Sequence, residues 1–323
     1  MLKTYILRPD SLFTMRYLTL FFLFIFVAGC ASVKYTTGDI EKELALSNIG
    51  ASKFVKVGNY NIHYLEAGEG EPMILIHGWL CWGAYWKKII PLVKDRYHVY
   101  ALDLLGHGIS DKPLGKEISY GTDAQAERII AFMNELGIKK AYLVGHSMGG
   151  EIAAKVALAA PDRVKGLVLV CAAGMEDTPK LLPWYIRLGR AMHLENVAAD
   201  MLNETTIRWH VPSLMFYRGN PMPDEFVKDI VMTNLKDEVD RRAMAKITRE
   251  GLFQNFLDKR CAEIKAPTLV ITAKYDIIIR PETGERYSSL IPGAQYVCID
   301  KAAHMVPWEQ ADEVAANIRR VMQ

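Results

Sequence analysis

Charge of one sign is missing from this 323-residue chain, in which 39 Lys and Arg nearly balance 37 Asp and Glu to leave a net +2. Proteins that hold nucleic acid neutralise phosphates with clustered basic side chains, and no basic stripe with interleaved aromatics occurs here, so no nucleic-acid partner is expected. Cysteine is scarce. Cys30, Cys81, Cys171, Cys261 and Cys298 stand far apart without a Cys-x-x-Cys pair, which excludes a zinc knuckle or a dense disulfide framework. Cys171 and Cys298 fall in apolar, strand-like runs and read as small buried hydrophobes. The sequence offers no cluster with metal-ligand spacing and no phosphate loop, so the expectation is neither metal nor cofactor.

A long apolar run is also missing. Tyr17 to Ala28, behind Met15-Arg16, is an almost unbroken apolar stretch of 12 residues, where a spanning helix needs about 20. That length suits the apolar region of a signal peptide. The run closes in Val27-Ala28-Gly29-Cys30, which resembles the lipobox of bacterial lipoproteins. The resemblance implies that residues 1–30 are a signal peptide, that Cys30 carries lipid, and that the chain's partner there is a membrane. Ala31-Ser32 follows the cysteine in place of the aspartate that in such lipoproteins directs retention at the inner membrane, which implies the outer membrane if the cell is Gram-negative. An uncleaved inner-membrane signal anchor stays open, as does Met15 as the first residue. Residues 31–52, polar with a short helical patch, are expected to be a tether.

What remains is ordinary globular composition, half hydrophobic and 24% charged, ample for a substantial core. From residue 53 the pattern turns periodic. Phe54, Val55 and Val57, then Gly58-Asn59, then Tyr60, Ile62, Tyr64 and Leu65 predict a hairpin. Short apolar runs at Met73 to Ile76, Tyr97 to Leu102, Ala141 to Val144 and Gly166 to Val170 predict strands. Helical stretches lie between them, at Gly83 to Val93, Ser119 to Leu136 and Glu151 to Ala160. Strands that are apolar on both faces and alternate with helices imply a parallel sheet covered on both sides. The rhythm breaks after Gly174. Residues 175–262 carry only helical patterns, crowded with aromatics and Met, and are expected to form an insertion over the sheet's edge. The rhythm resumes with a strand at Thr268 to Thr272, a helix at Pro281 to Leu290, a strand at Gln295 to Ile299 and a helix at Trp308 to Val321. The core is thus expected in two parts, residues 53–174 and 263–323, around a helical cap.

Within this frame Gly145-His146-Ser147-Met148-Gly149 sits between a strand and a helix, the context a Gly-x-Ser-x-Gly turn requires. His77-Gly78-Trp79 ends one strand, and Asp103 to Ser110 spells Asp-x-x-Gly-x-Gly-x-Ser after the next. Taken in this order the motifs resemble those of the α/β-hydrolases of the single-cap type, over residues 53 to 323. The resemblance implies a mostly parallel eight-stranded sheet flanked by helices, with a helical cap inserted after strand 6. It also implies the catalytic order Ser, then Asp, then His.

A serine hydroxyl needs a base to take its proton as it attacks. By the resemblance Ser147 is the nucleophile and His304 the base, in Ala303-His304-Met305-Val306-Pro307-Trp308-Glu309, which is similar to the family's Gly-His-x-x-x-x-Glu with alanine for glycine. Asp276, in Ala273-Lys274-Tyr275-Asp276, is the implied acid. Asp177, just past the preceding strand, is its rival. The oxyanion donors implied are the backbone N–H groups of Trp79 and Met148. Asp103 reads as a structural tie below the site and His146 as a packing residue. Trp79, Trp82, Tyr85 and Trp86 either wall the pocket or pack a helix. Family members with an aspartate nucleophile, the haloalkane dehalogenases and epoxide hydrolases, are disfavoured by Ser147.

The expected function is a serine hydrolase of carboxylic esters with apolar acyl chains, similar to esterases and monoacylglycerol lipases. Carbon–carbon bond hydrolysis and cofactor-free perhydrolysis use the same triad and stay open. So does a non-catalytic small-molecule-binding protein on the same fold.

Overall fold

The computed structural model describes residues 36–47, 49–181 and 184–322; the expected signal peptide and Cys30 lie outside them. The elements in order are α1 (Thr37–Ser47), β1 (Ala51–Val57), β2 (Tyr60–Ala67), β3 (Glu71–Ile76), α2 (Ile90–Val93), β4 (Tyr97–Leu102), α3 (Thr122–Glu135), β5 (Ala141–His146), α4 (Met148–Ala159) and β6 (Val164–Val170). Six helices follow: α5 (Thr178–Leu181), α6 (Trp184–Ala191), α7 (Glu195–Met201), α8 (Glu204–Met215), α9 (Asp224–Asn234) and α10 (Glu238–Gly251). The chain closes with β7 (Thr268–Ala273), α11 (Pro281–Leu290), β8 (Gln295–Ile299), α12 (Val306–Glu309) and α13 (Ala311–Val321). Among the described residues no helix is long and apolar enough to cross a membrane.

One eight-stranded sheet runs in the order β1-β2-β4-β3-β5-β6-β7-β8. The β1–β2 and β2–β4 pairs are antiparallel and every other pair is parallel. Gly58, at φ +59°, makes the tight turn of the opening hairpin. Every residue of β5 and β7 is buried, as expected of central parallel strands sandwiched between helices. The edge strands differ. Phe54 of β1 is 51% exposed, and in β8 Cys298 faces solvent, against the expectation that it is a buried hydrophobe; β8 is covered on one side only.

Three other expectations are corrected. The stretch from Gly83 to Val93 is not one helix but a 3₁₀ turn at Gly83–Trp86 and the single-turn α2, because Pro91 cannot donate into a continuous helix. The described part of the 31–52 tether is not a free linker: α1 buries Ile40 and Leu44, its Glu43 pairs with Lys228 of α9 at 2.6 Å, and β1 already begins at Ala51. The inserted helices do not sit over an edge of the sheet. They cross the carboxyl ends of the strands, where the Asn234 amide donates to the Leu80 and Cys81 carbonyls and accepts from Gly108 N–H, and Lys112 pairs with Asp240 at 2.8 Å.

Register places the site. Ile76 pairs with Gly145, so His77-Gly78-Trp79 emerges beside the turn after β5. His146 pairs with Val170, and Val170 with Ile271, which sets the loop after β7 next in line. Ala273 pairs with Ile299, and past that pair Tyr275 N–H donates to Ala302 O at 3.1 Å. The connections after β3, β5, β7 and β8 thus converge on one end of the sheet, where ligands of open α/β sheets bind.

Candidate active site

Ser147 occupies the turn between β5 and α4 with φ +55° and ψ −119°. A non-glycine residue held there stores on the order of 1–3 kcal/mol of backbone strain. The neighbouring glycines make room for it. A Cβ on Gly145 would strike the Gly149 carbonyl, and one on Gly149 the Ile76 and His77 carbonyls. Ser147 N–H donates to Val170 O at 2.9 Å, and its carbonyl accepts from Ala173, Gly150 and Glu151 N–H. The backbone of the turn is thereby tied down, while the residue keeps partial exposure.

His304 and Asp276 complete a line. His304 Nε2 is 3.1 Å from Ser147 Oγ, and His304 Nδ1 is 2.7 Å from Asp276 Oδ2. The second carboxylate oxygen of Asp276 accepts from Ile278 and Ile279 N–H at 2.8 and 2.9 Å. Both oxygens are therefore committed, and the carboxylate fixes Nδ1–H as the imidazole's donor, leaving the Nε2 lone pair for the serine proton. The structure brings Ser147, Asp276 and His304 together and leaves the rival Asp177 outside, hydrogen-bonding through its backbone to Lys180.

Met148 is the first residue of α4 and its N–H belongs to the unpaired first turn of that helix. Gly78 lies so near the elbow that an added Cβ would stand 3.1 Å from Ser147 Cβ, and Trp79 is the next residue. The Trp79 indole donates to Thr248 Oγ1 of α10 at 2.8 Å. Its side chain thus ties the loop after β3 to the inserted helices. Trp82, Tyr85 and Trp86 are buried and pack rather than line an opening. Tyr85 stacks on His146 at 5.0 Å between ring centroids.

The histidines around the triad are neutral. Burial lowers His77 to about 4, and its Nε2 accepts Leu104 N–H while Nδ1 donates to Gly78 O. Burial likewise holds His107 and His146 well below the usual imidazole range. Asp103 sits under the site as a tie, accepting from Gly83 N–H, Ile109 N–H and His63. Burial works to raise its pKa, but the His63 imidazole and these donors outweigh it and hold the carboxyl below its ordinary value. Cys171, at φ +43°, lies so that its sulfur, an Asp276 oxygen and a His304 nitrogen fall within 4.8 Å of one another. Burial, then the Asp276 charge, push its thiol far up, so it stays protonated.

Two contributions were not legible beforehand. His146 is more than a packing residue: its Nε2 donates to the His304 backbone carbonyl at 2.8 Å. Asn234 pins α9 to the loops after β3 and β4, and nothing in its sequence neighbourhood marks it. Glu309 was visible only as the last letter of the histidine motif.

A strained serine elbow at the carboxyl ends of a mostly parallel eight-stranded sheet, with an imidazole and a carboxylate in line, defines the class of fold. The chain belongs to the alpha/beta hydrolase fold family, whose model matches residues 71–311. It is 30% identical over 290 residues to the 2-hydroxy-6-oxononadienedioate/2-hydroxy-6-oxononatrienedioate hydrolase of Comamonas testosteroni, covering 83% of this chain and 94% of that one. It is 27% identical over 308 residues to Lipase 1 of Psychrobacter immobilis, covering 91% and 92%. Among solved structures, a bacterial membrane phospholipase A superposes with a TM-score of 0.72 at 22% identity, over 98% of both chains.

Proposed function

We propose that this protein is a serine hydrolase that cleaves carboxylic esters of apolar acyl chains through an acyl-enzyme. The observation that carries the proposal is the unbroken line from Ser147 Oγ through His304 to Asp276 at the strained elbow. As Oγ attacks the ester carbonyl carbon, its proton passes to His304 Nε2 and Asp276 stabilises the imidazolium. The charge on the former carbonyl oxygen is met by the N–H groups of Met148 and Trp79. Collapse breaks the bond to the alcohol, which leaves with the Nε2 proton and leaves an acyl ester on Ser147. Water then gives a proton to the same nitrogen and attacks the acyl carbon; the carboxylic acid leaves and Oγ regains its proton.

The acyl preference rests on the likeness to a lipase and on the apolar cap. Part of that apolar content goes into packing, since Phe216 and Phe226 meet edge to face at 5.2 Å and Phe226 meets Trp308 at 5.1 Å. We further propose that lipid on Cys30 holds the enzyme at the cell envelope, at the outer membrane in a Gram-negative cell, where acyl substrates are concentrated. Mass spectrometry of the membrane-extracted protein should find acylated Cys30 as the first residue, and an intact upstream segment would refute it.

A second reading is favoured by the Comamonas relative: hydrolysis of a carbon–carbon bond in a dienoic acid by the same triad. A panel of p-nitrophenyl esters and monoacylglycerols of rising chain length, set against a 2-hydroxy-6-oxo-dienoic acid, separates the two. Ester turnover rising with chain length supports the first; cleavage of the dienoic acid with inert esters selects the second.

A further inference from the structure

The cap residues from the end of α8 to Asn220 are hydrogen-bonded directly to the loop that carries the base. Met305 N–H, next to His304, donates to Met215 O at 3.0 Å. The Asn220 amide donates to Lys301 O at 2.7 Å. Between these contacts stands Glu309, whose carboxylate is divided: Oε1 accepts from Ala303 N–H at 2.9 Å, on the other flank of His304, and Oε2 accepts from Tyr217 N–H of the cap at 2.7 Å and from the Asn220 amide at 3.3 Å. Tyr217 also packs its ring against Tyr275, the neighbour of Asp276, at 4.7 Å between centroids. One stretch of cap therefore touches both the loop of the acid and the loop of the base.

We propose that Glu309 is a positioning residue that locks the His304 loop to the cap, so that the seated cap and not the core alone sets the place of the base. The physical case is one of reach. The loop from Lys301 to Met305 leaves an edge strand, and Ala303 replaces the expected glycine without supplying any side-chain hydrogen bond. Besides the cap contacts named above, the loop is held by the Tyr275–Ala302 backbone bond, the His146 bond to His304 O, the His304 ring bonds to Asp276 and Ser147, and the Gln310 amide on Lys301 O. Each oxygen of Glu309 closes one side of the joint, and no neutral side chain offers two full acceptors in that geometry. Because general-base transfer depends steeply on distance and angle, a shift of about 1 Å in the imidazole costs up to about a hundredfold in rate.

This inference rests on the proposed hydrolase reaction for its kinetic arm and stands apart from it in its structural arm. In the kinetic arm, Glu309→Ala lowers kcat for a p-nitrophenyl ester by about tenfold or more while KM moves by less than about threefold. Glu309→Gln, which keeps one acceptor, falls between the two, and Asn220→Ala gives a smaller loss that is not additive with Glu309→Ala. In the structural arm, hydrogen exchange of the peptide spanning residues 300–310 accelerates in Glu309→Ala while β5 and β6 stay protected. Wild-type protein inert toward esters overturns the proposed reaction and leaves the exchange result to decide the lock. Exchange unchanged at 300–310, or an active wild type matched in kcat by Glu309→Ala, overturns the lock. If Glu309→Ala does not fold, Glu309→Gln and Asn220→Ala decide: wild-type kcat and exchange in both overturn it.

Discussion

His146 Nε2 donates to the backbone carbonyl of His304 at 2.8 Å, so the residue preceding Ser147 grips the residue proposed as its base. The two rings also lie 4.9 Å apart. His146→Phe keeps a ring to stack on Tyr85 and removes the donor. It leaves a buried carbonyl unpaired, which costs about 1–3 kcal/mol. The expected outcome is a melting temperature lower by several degrees and kcat lower by about tenfold. Ester kinetics and thermal melts on the purified variant check it, and wild-type values in both would remove His146 from the account.

The acid is assigned by a second substitution pair. Asp276→Asn keeps the shape but leaves the imidazole in the wrong tautomer, and kcat should drop by about 10⁴. Asp177→Asn should leave kcat within about twofold, since Asp177 lies outside the line. A reversed ranking in steady-state assays would move the acid to the connection after β6.

Acid stability should carry the signature of the buried histidines. Burial holds His107 well below 6.5 in the folded state, with His77 and Lys112 adding to the effect, while the unfolded chain titrates near 6.5. Above 6.5 neither state is charged and the stability is present in full. As pH falls below 6.5 the unfolded chain takes up a proton that the folded one refuses, and stability is lost at about 1.4 kcal/mol per pH unit. Glu151 acts in the opposite sense: burial, against Lys155 and Thr122, raises it to about 7, so its stabilisation is complete below its ordinary value and lost as pH rises toward 7. Asp229, raised by burial to about 6, behaves likewise. Comparing wild type with His107→Leu cancels both carboxyls. Urea titrations at pH 6.5 and pH 5 should show the variant gaining on wild type by about 2 kcal/mol; parallel pH profiles would contradict a buried, neutral His107.

Much of this architecture was legible because central parallel strands are apolar on both faces, and Met73 to Ile76 or Ala141 to Val144 can hardly be anything else. The residues of the site were legible where chemistry compresses them into short motifs, as at Gly145 to Gly149. Edges and joints were not. Cys298 looked buried because an edge strand and a central strand share the same apolar letters, and only the missing neighbour exposes it. The helix drawn through Pro91 failed on a local rule that the apolar pattern masked. The contacts of Glu309 with Tyr217 and of Asn234 with Leu80 join positions far apart in the chain, and no periodicity records them. The docking of α1 includes the pair of Glu43 with Lys228 of α9, a partner far along the chain that residues 31–52 cannot reveal by themselves.

The central claim is that Ser147 is a nucleophile that becomes acylated. Intact-mass spectrometry after mixing the protein with a fluorophosphonate, and separately with a p-nitrophenyl ester in a rapid quench, tests it most directly. The account predicts one adduct per chain, mapped to Ser147, absent in Ser147→Ala, and ester turnover lower by about 10⁴ to 10⁶ in Ser147→Ala and His304→Ala. A folded wild type that takes no adduct, or a Ser147→Ala variant that turns over esters at the wild-type rate, would contradict it.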